Sequence, residues 1–287
     1  MSTLLTALAI EGADGQFVDL LVPGGRGVSM VDGLIGMEVR EKIRPRPGRH
    51  GIINTSRYRD APPVTITGHL QGADPDVAFT HYNTVARALA AAVNTDRKLR
   101  WSGGSVLGLV ETRVRLVSIK PPLEVGPNLI RYQLVLRPAD PRSYAQVETV
   151  VDGGLLGASG GGLTFPFTFP IAFTPAGGSA ATFTVGGTDA TPPVFRIYGY
   201  VTSPRLRLVS TGEELVINGA VDAGRYLEVD VDAREVRLDD GTLRNNLFDF
   251  EQSSWFDLPP GPQSVQLLAT NFDASAHVQV RFAAAYA

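Results

Sequence analysis

The residues in this sequence that could do chemistry are few and stand apart. None of the four histidines, His50, His69, His81 and His277, lies at metal-ligand spacing from another, and no His-Glu-x-x-His occurs. Each is read as a surface or half-buried side chain. Gly157-Ala158-Ser159-Gly160-Gly161 formally matches the Gly-x-Ser-x-Gly nucleophile elbow, but that motif needs a sharp strand-to-helix turn. Here no helical pattern follows, so Ser159 is read as glycine linker. Asp230, Asp232, Asp239 and Asp240 offer the oxygens a hard cation prefers, yet Asp239-Asp240-Gly241 is an ordinary turn signal and the acids are read as solvated turn residues. With no Gly-x-x-x-x-Gly-Lys, no dinucleotide fingerprint and no cysteine, the sequence assigns no catalytic, metal-binding or cofactor-binding residue, and the chain is expected not to be an enzyme.

Two groups of residues point to binding instead. Arg40, Lys42, Arg44, Arg46, Arg49, Arg57 and Arg59 form the one dense basic run, with Pro45 and Pro47 inside it. A nucleic-acid contact is one reading, but only Tyr58 supplies the aromatic interleaving that a single-strand platform requires. An arginine-rich arm lying on a neighbouring subunit explains the prolines better, since Arg pairs bidentately with carboxylates and is enriched at interfaces. Arg40, Arg44, Arg46, Arg49, Arg57 and Arg59 are therefore the candidate oligomer contacts. The second group, Trp255 and Phe256 with Tyr226, could stack on pyranose rings, with core packing as the alternative for aromatics in a strand-rich domain. Trp255 and Tyr226 are the candidate glycan contacts.

The elements that must position these residues are mostly strands. At 287 residues, with 44% hydrophobic and 19% charged, the chain is long and apolar enough for two cores of about 150 residues each. Gly 31 and Pro 20 together exceed one residue in six, which fits many short strands joined by turns and not a helical bundle. No stretch reaches the length of a membrane span and the start lacks a signal-peptide pattern, so neither export nor membrane insertion is expected. The net charge of −3 gives no global attraction to nucleic acid.

Along the chain, Leu8 to Val22 reads as a hairpin turning at Asp14-Gly15, and Leu34 to Val39 as a further β stretch. Residues 40–59 read as an extended arm or long loop, because prolines do not sit in a central strand. Val64 to Leu70 alternates as a half-buried strand. Asp74, Pro75 and Asp76 then open the one main helix, carried by Tyr82, Val85, Ala86, Leu89, Ala92 and Val93 and ended by Asn94. Strands follow over 99–101, 106–116 and 129–136, then the rigid exit Arg137-Pro138-Ala139-Asp140-Pro141-Arg142. Residues 1–147 make the first domain, 148–162 a glycine-rich connector and 163–287 a second domain of about nine short strands, a sandwich or jelly roll.

The arrangement resembles the distal tail protein family of long-tailed bacteriophages, the minor tail proteins of siphoviruses. In the first half the resemblance rests on the early hairpin, on Gly33-Leu34-Ile35-Gly36 leading to the arm that ends Arg57-Tyr58-Arg59-Asp60, on the strand-helix unit 64–93 and on Arg137 to Arg142. In the second half it rests on Gly161 to Pro166 with Phe169-Pro170, on Ala190 to Gly199, Ala223 to Asp230 and Arg234 to Gly241, and on Ser254 to Gly261. It implies a mainly β fold with one main helix: an N-terminal β-sandwich ring domain and a C-terminal galectin-like β-sandwich. It further implies a structural virion protein at the distal end of the tail, made in the host cytoplasm, whose hexameric ring joins the tail tube to the tip or baseplate. Tail tube protein lies on one side, the tail tip hub (tail-associated) protein and tape measure protein on the other; phage DNA passes through and no cofactor is needed. The sequence departs from the family pattern at Pro262-Gln263, where an asparagine-containing loop is expected, and nothing matches the sugar-contacting residues of galectins. The alternative reading is a carbohydrate-binding adhesion module that recognises host cell wall.

Overall fold

Leu8 and Ile10, buried on one face of a short strand, open the computed structural model, which describes residues 5–287 apart from 24, 35–37, 42–43, 46–49, 51, 54–56, 91–92, 104–107, 127, 154–179 and 274. Ala7–Glu11 pairs with Phe17–Asp19 around a turn in which Gly15 takes φ 76°, a conformation that favours glycine. The chain divides into two compact units, Met1–Gln146 with Tyr286–Ala287, and Val147–Ala285.

In the first unit Ala7–Glu11 pairs with Arg97–Ser102, which pairs with the 18-residue strand Leu109–Gly126. That strand serves three partners: Leu109 to Val114 pair with Arg97–Ser102, Val110 and Glu111 pair with Ala145 and Tyr144, and Val114 to Gly126 pair with Leu129–Pro138 through three register shifts. Leu129–Pro138 continues to Val64–Gln71 and then to Arg26–Asp32. Leu8, Ile10, Leu99, Trp101, Val110 and Val114 from one part of this sheet share a core with Ile66, Leu70, Leu134 and Leu136 from the other. The helix Pro75–Ala90 adds Ala78, Val85, Ala88 and Leu89 to that core, positions recurring at helical spacing. Its start is fixed by Asp74, whose Oδ1 accepts the Val77 N–H at 2.8 Å. One polar chain crosses the core: the Trp101 indole N–H donates to Thr112 Oγ1 at 3.1 Å, and Thr112 shares a 2.7 Å hydrogen bond with Ser143 Oγ.

The strand Arg26–Asp32 was not expected. A bulge between Val28 and Met30, with Gly27 and Ser29 in the run, breaks the alternation by which a strand is recognised; of Leu34 to Val39, expected as β, residues 38–39 are strand and 35–37 lie outside the described residues. Where it is described, the arm forms short two-stranded ribbon segments: Glu38–Glu41 pairs with Arg57–Asp60, and Arg44–Pro45 with Ile52–Ile53. Pro45 is tolerated because both strands of a two-stranded ribbon are edges. The strand Ser143–Gly153 runs through residues expected to be connector, because Val147, Thr149, Val150 and Val151 have β preference that the glycines from 153 onward masked. The alternating run Phe165 to Phe173 lies outside the described residues.

The second unit has two main sheets. One joins His277–Tyr286, Val194–Tyr198, Tyr226–Asp230 and Glu235–Leu238; the other joins Ala181–Val185, Gly261–Leu268, Arg205–Leu208 and Glu214–Val216. Register places Phe195 between Val229 and Val280, and Ile197 between Leu227 and Val278. These residues bury against Leu206, Leu208, Leu215, Val265 and Leu267 of the opposite sheet, the interleaved core of a β-sandwich. In this core Phe195, Ile197, Leu227 and Val229 are buried, whereas Trp255 is half-buried at its margin.

Candidate assembly surface

Of the seven basic residues of the run, Arg40, Arg44, Arg57 and Arg59 lie on these paired strands, and Lys42 lies outside the described residues. Arg40 stands opposite Tyr58, Arg57 opposite Glu41, Arg59 opposite Val39 and Arg44 opposite Ile53. The paired segments bring chain positions 40 and 57–59 together on one short element, while Arg46 and Arg49 lie outside the described residues. Between 40 and 59 the sequence holds seven Lys/Arg against one acid, Glu41. The asymmetry extends to the whole chain: residues 1–146 carry 18 Lys/Arg and 13 Asp/Glu, whereas 147–287 carry 8 and 16. The small net charge therefore conceals a basic first unit and an acidic second one, and residues 40–59 account for the excess of the first.

The two aromatic candidates belong to separate clusters. Trp255 stacks on Phe248 with centroids 4.2 Å apart and planes at 12°, and Phe250 meets Phe248 edge-on at 4.9 Å. The turn beneath them is held by Asp249, whose carboxylate accepts the Glu251 and Gln252 N–H groups and the Asn218 amide. These donors, the Gln252 N–H first, hold the Asp249 pKa below the ordinary carboxylate value. Phe256 is buried and meets Phe195 at 5.9 Å, which makes it core. Tyr226 stands in a cross-strand row with Tyr198 and His277: Tyr198 and His277 stack at 4.8 Å, Tyr198 lies 5.1 Å from Tyr226, and the Arg196 guanidinium lies 5.1 Å from the Tyr226 ring centre. The Tyr226 ring thus packs against neighbours of its own sheet, and no ring contact joins it to Trp255 among the described residues.

The turn acids are engaged by their own chain. Arg225 donates to Asp239 Oδ1 at 2.9 Å and to Asp240 Oδ2 at 2.8 Å, and Asp240 Oδ1 accepts the Thr242 N–H. Thr242 and Arg225 together hold the Asp240 carboxyl far below its ordinary range. Asp230 accepts the Ala233 N–H in its own turn. The described residues include no group of three or more His, Asp or Glu arranged to hold a metal ion. Among the histidines, His69 and His81 sit against Gly27 and Gly25, His277 stacks on Tyr198, and His50 is exposed. Gly157 to Gly161 fall outside the described residues.

One arrangement escaped the sequence reading. In the exit Arg137 to Arg142, Asp140 accepts the Arg142 N–H at 2.9 Å, the Arg142 guanidinium at 3.1 Å and the Tyr144 hydroxyl at 2.6 Å. Burial works to raise the Asp140 pKa, and the donors from Arg142 and Tyr144 outweigh it and leave it lowered. This clamp fixes the backbone just before the strand that leaves the first unit. Its signal was an Asp two residues before an Arg and four before a Tyr.

Residues 186–286 match the model of the siphovirus-type tail component, C-terminal domain. Among solved structures the chain is similar to the Dit protein of phage SPP1, described as a paradigm of the hub adsorption apparatus in phages infecting Gram-positive hosts. Identity is 14%, the TM-score is 0.69, and 98% of this chain and 99% of that chain are covered. It is also similar to a chain of the phage P2 baseplate in its activated conformation with Ca, at 13% identity and TM-score 0.53, over 96% of this chain and 97% of that one. No curated protein matches it in sequence. The chain shares the fold of SPP1 Dit over nearly its whole length, and its second half matches the siphovirus-type tail component C-terminal domain.

Proposed function

We propose that this chain is a structural virion protein, the distal tail or baseplate hub subunit of a long-tailed phage, which closes into a ring of six joining the tail tube to the tail tip. The observation that carries this reading is the end-to-end correspondence of fold with SPP1 Dit, with almost no residue of either chain left over. The match at residues 186–286 is independent support, since it comes from sequence and not from shape.

In this reading residues 1–147 form the ring and residues 163–287 project outward. The ribbon is the part that reaches a neighbour, because a closed ring needs a surface complementary to a different surface on the same chain. Arg40, Arg44, Arg46, Arg49, Arg57 and Arg59 then meet carboxylates of the adjacent subunit. The tail tube protein stacks on one face, the tail tip hub protein and the tape measure on the other, and phage DNA crosses the opening. The reading asks for no catalytic group. Its test is co-expression of the chain with the tail tube and tail tip hub proteins of the same phage, followed by affinity capture through a tag on the chain. Recovery of both partners in fixed stoichiometry is expected; capture of neither rejects the hub role.

A further inference from the structure

Among the described residues three buried side-chain polar atoms have no protein hydrogen-bond partner: Arg26 Nε, His81 Nδ1 and Tyr132 Oη. They lie on two strands and the helix, all of which adjoin the strand Val64–Gln71. Arg26 stands opposite Leu70 and Tyr132 opposite Gly68, and Val64, Ile66, Gly68 and Leu70 are the buried set of the strand between them. Arg26 and Tyr132 therefore project to the same, core-facing side of the sheet. Gly68 leaves the pleat open: a Cβ there would lie 2.5 Å from the Tyr132 Cζ and hydroxyl and 2.7 Å from the Gly27 carbonyl oxygen. The phenol consequently lies across Gly68 with its hydroxyl toward the strand that carries Arg26. His81 comes down from the helix, where a Cβ on Gly25 would lie 2.9 Å from its Cε1 and 3.4 Å from Nδ1. Its ring thus rests against the residue that precedes Arg26.

We propose that Arg26, His81 and Tyr132 form a binding site for one small monovalent anion of the size of chloride. All three atoms can donate: the Arg26 Nε–H, the Tyr132 O–H and the His81 Nδ1–H of one tautomer or of the protonated ring. Burial keeps the phenol protonated, pushing its pKa up to about 12, while the charge of Arg26 acts on it in the opposite sense. Arg26 makes no ion pair with a carboxylate among the described residues; its Nη1 donates to the Asp19 carbonyl at 2.7 Å. A buried guanidinium nitrogen with two further unpartnered donors on the neighbouring strand and helix, and no countercharge among the described residues, is the chemistry that a small anion satisfies. An anion there would tie the strand Arg26–Asp32, the strand Leu129–Pro138 and the helix to one another.

The site is tested by thermal unfolding of the full chain in sodium chloride and in sodium gluconate at equal ionic strength, for the wild type and for Tyr132→Phe. Chloride is expected to raise the wild-type midpoint, by about 3 °C at about five times its dissociation constant and further with the logarithm of its concentration. Tyr132→Phe is expected to lose that chloride response and to melt below the wild type in chloride. Equal wild-type midpoints in the two salts overturn the proposal. So does a Tyr132→Phe variant that keeps the chloride response, or one that melts at or above the wild type in chloride, as removal of a bare buried hydroxyl would give. Crystals grown in sodium bromide supply the second measurement: an anomalous peak between Arg26 and Tyr132 supports the site, and a water or nothing there rejects it.

Discussion

Trp255→Ala separates scaffold from adhesin in a single substitution. Replacing a fully buried large aromatic by Ala costs about 3–5 kcal/mol. Trp255 is half-buried, so roughly half of that applies, about 2 kcal/mol, and its stack on Phe248 at 4.2 Å adds about 0.5–1.5 kcal/mol. The expected loss is about 2.5–3.5 kcal/mol, confined to the second unit. The chain's two tryptophans, Trp101 and Trp255, fall one in each unit, so the variant keeps the indole that reports on the first unit. Urea unfolding followed by the remaining Trp101 fluorescence should be unchanged, while far-ultraviolet circular dichroism should show a second-unit transition at lower urea. Phe195→Ala, which truncates a fully buried ring facing Val229 and Val280, serves as reference at about 3–5 kcal/mol. A Trp255→Ala variant with an unchanged second-unit midpoint and reduced retention on host cell wall would refute the packing argument and make Trp255 a glycan platform.

Gly68→Ala should destabilise the first unit by about 2 kcal/mol or more, because the new methyl meets the Tyr132 ring and the Gly27 carbonyl below 3 Å; a denaturation midpoint equal to wild type would show that the ring has room to move. Since the folded-state pKa of Asp140 is depressed, its stabilisation is present above the unfolded value of about 4 and fades as pH falls through the folded one. Melting temperature should therefore be flat near neutrality and decline below about pH 4, with a shallower decline in Asp140→Asn; parallel curves for the two proteins would remove Asp140 from the account. Replacing Arg44, Arg46 and Arg49 together by Ala should weaken ring assembly while both unfolding transitions stay in place, at about 2 kcal/mol or more for each buried cross-subunit pair that is truncated. Unchanged ring stability in that variant would defeat the interface reading of the ribbon.

What was legible in the sequence was what local pattern determines. Val194 to Tyr198 and Tyr226 to Asp230 alternate cleanly, and their buried residues are those on the apolar phase of that alternation. The helix start was legible because a single residue, Asp74, caps it. Arg26–Asp32 was not, since its bulge shifts the phase and an edge strand needs less apolar surface. Nor was the pairing within the arm, because a ladder between residues 38 and 60 depends on a register that neither segment specifies alone. The half-burial of Trp255 and the meeting of Arg26, His81 and Tyr132 are tertiary facts: those three residues lie on two strands and a helix, and only Gly25 and Gly68, which leave room for the rings, hint at them.

Native mass spectrometry of the purified full chain, alone and co-expressed with the tail tube protein, tests the central claim most directly. A closed assembly of six times the 30.7 kDa chain is predicted, lost when Arg44, Arg46 and Arg49 are replaced by Ala. A monomer under both conditions, at concentrations that support tail assembly, would contradict the account.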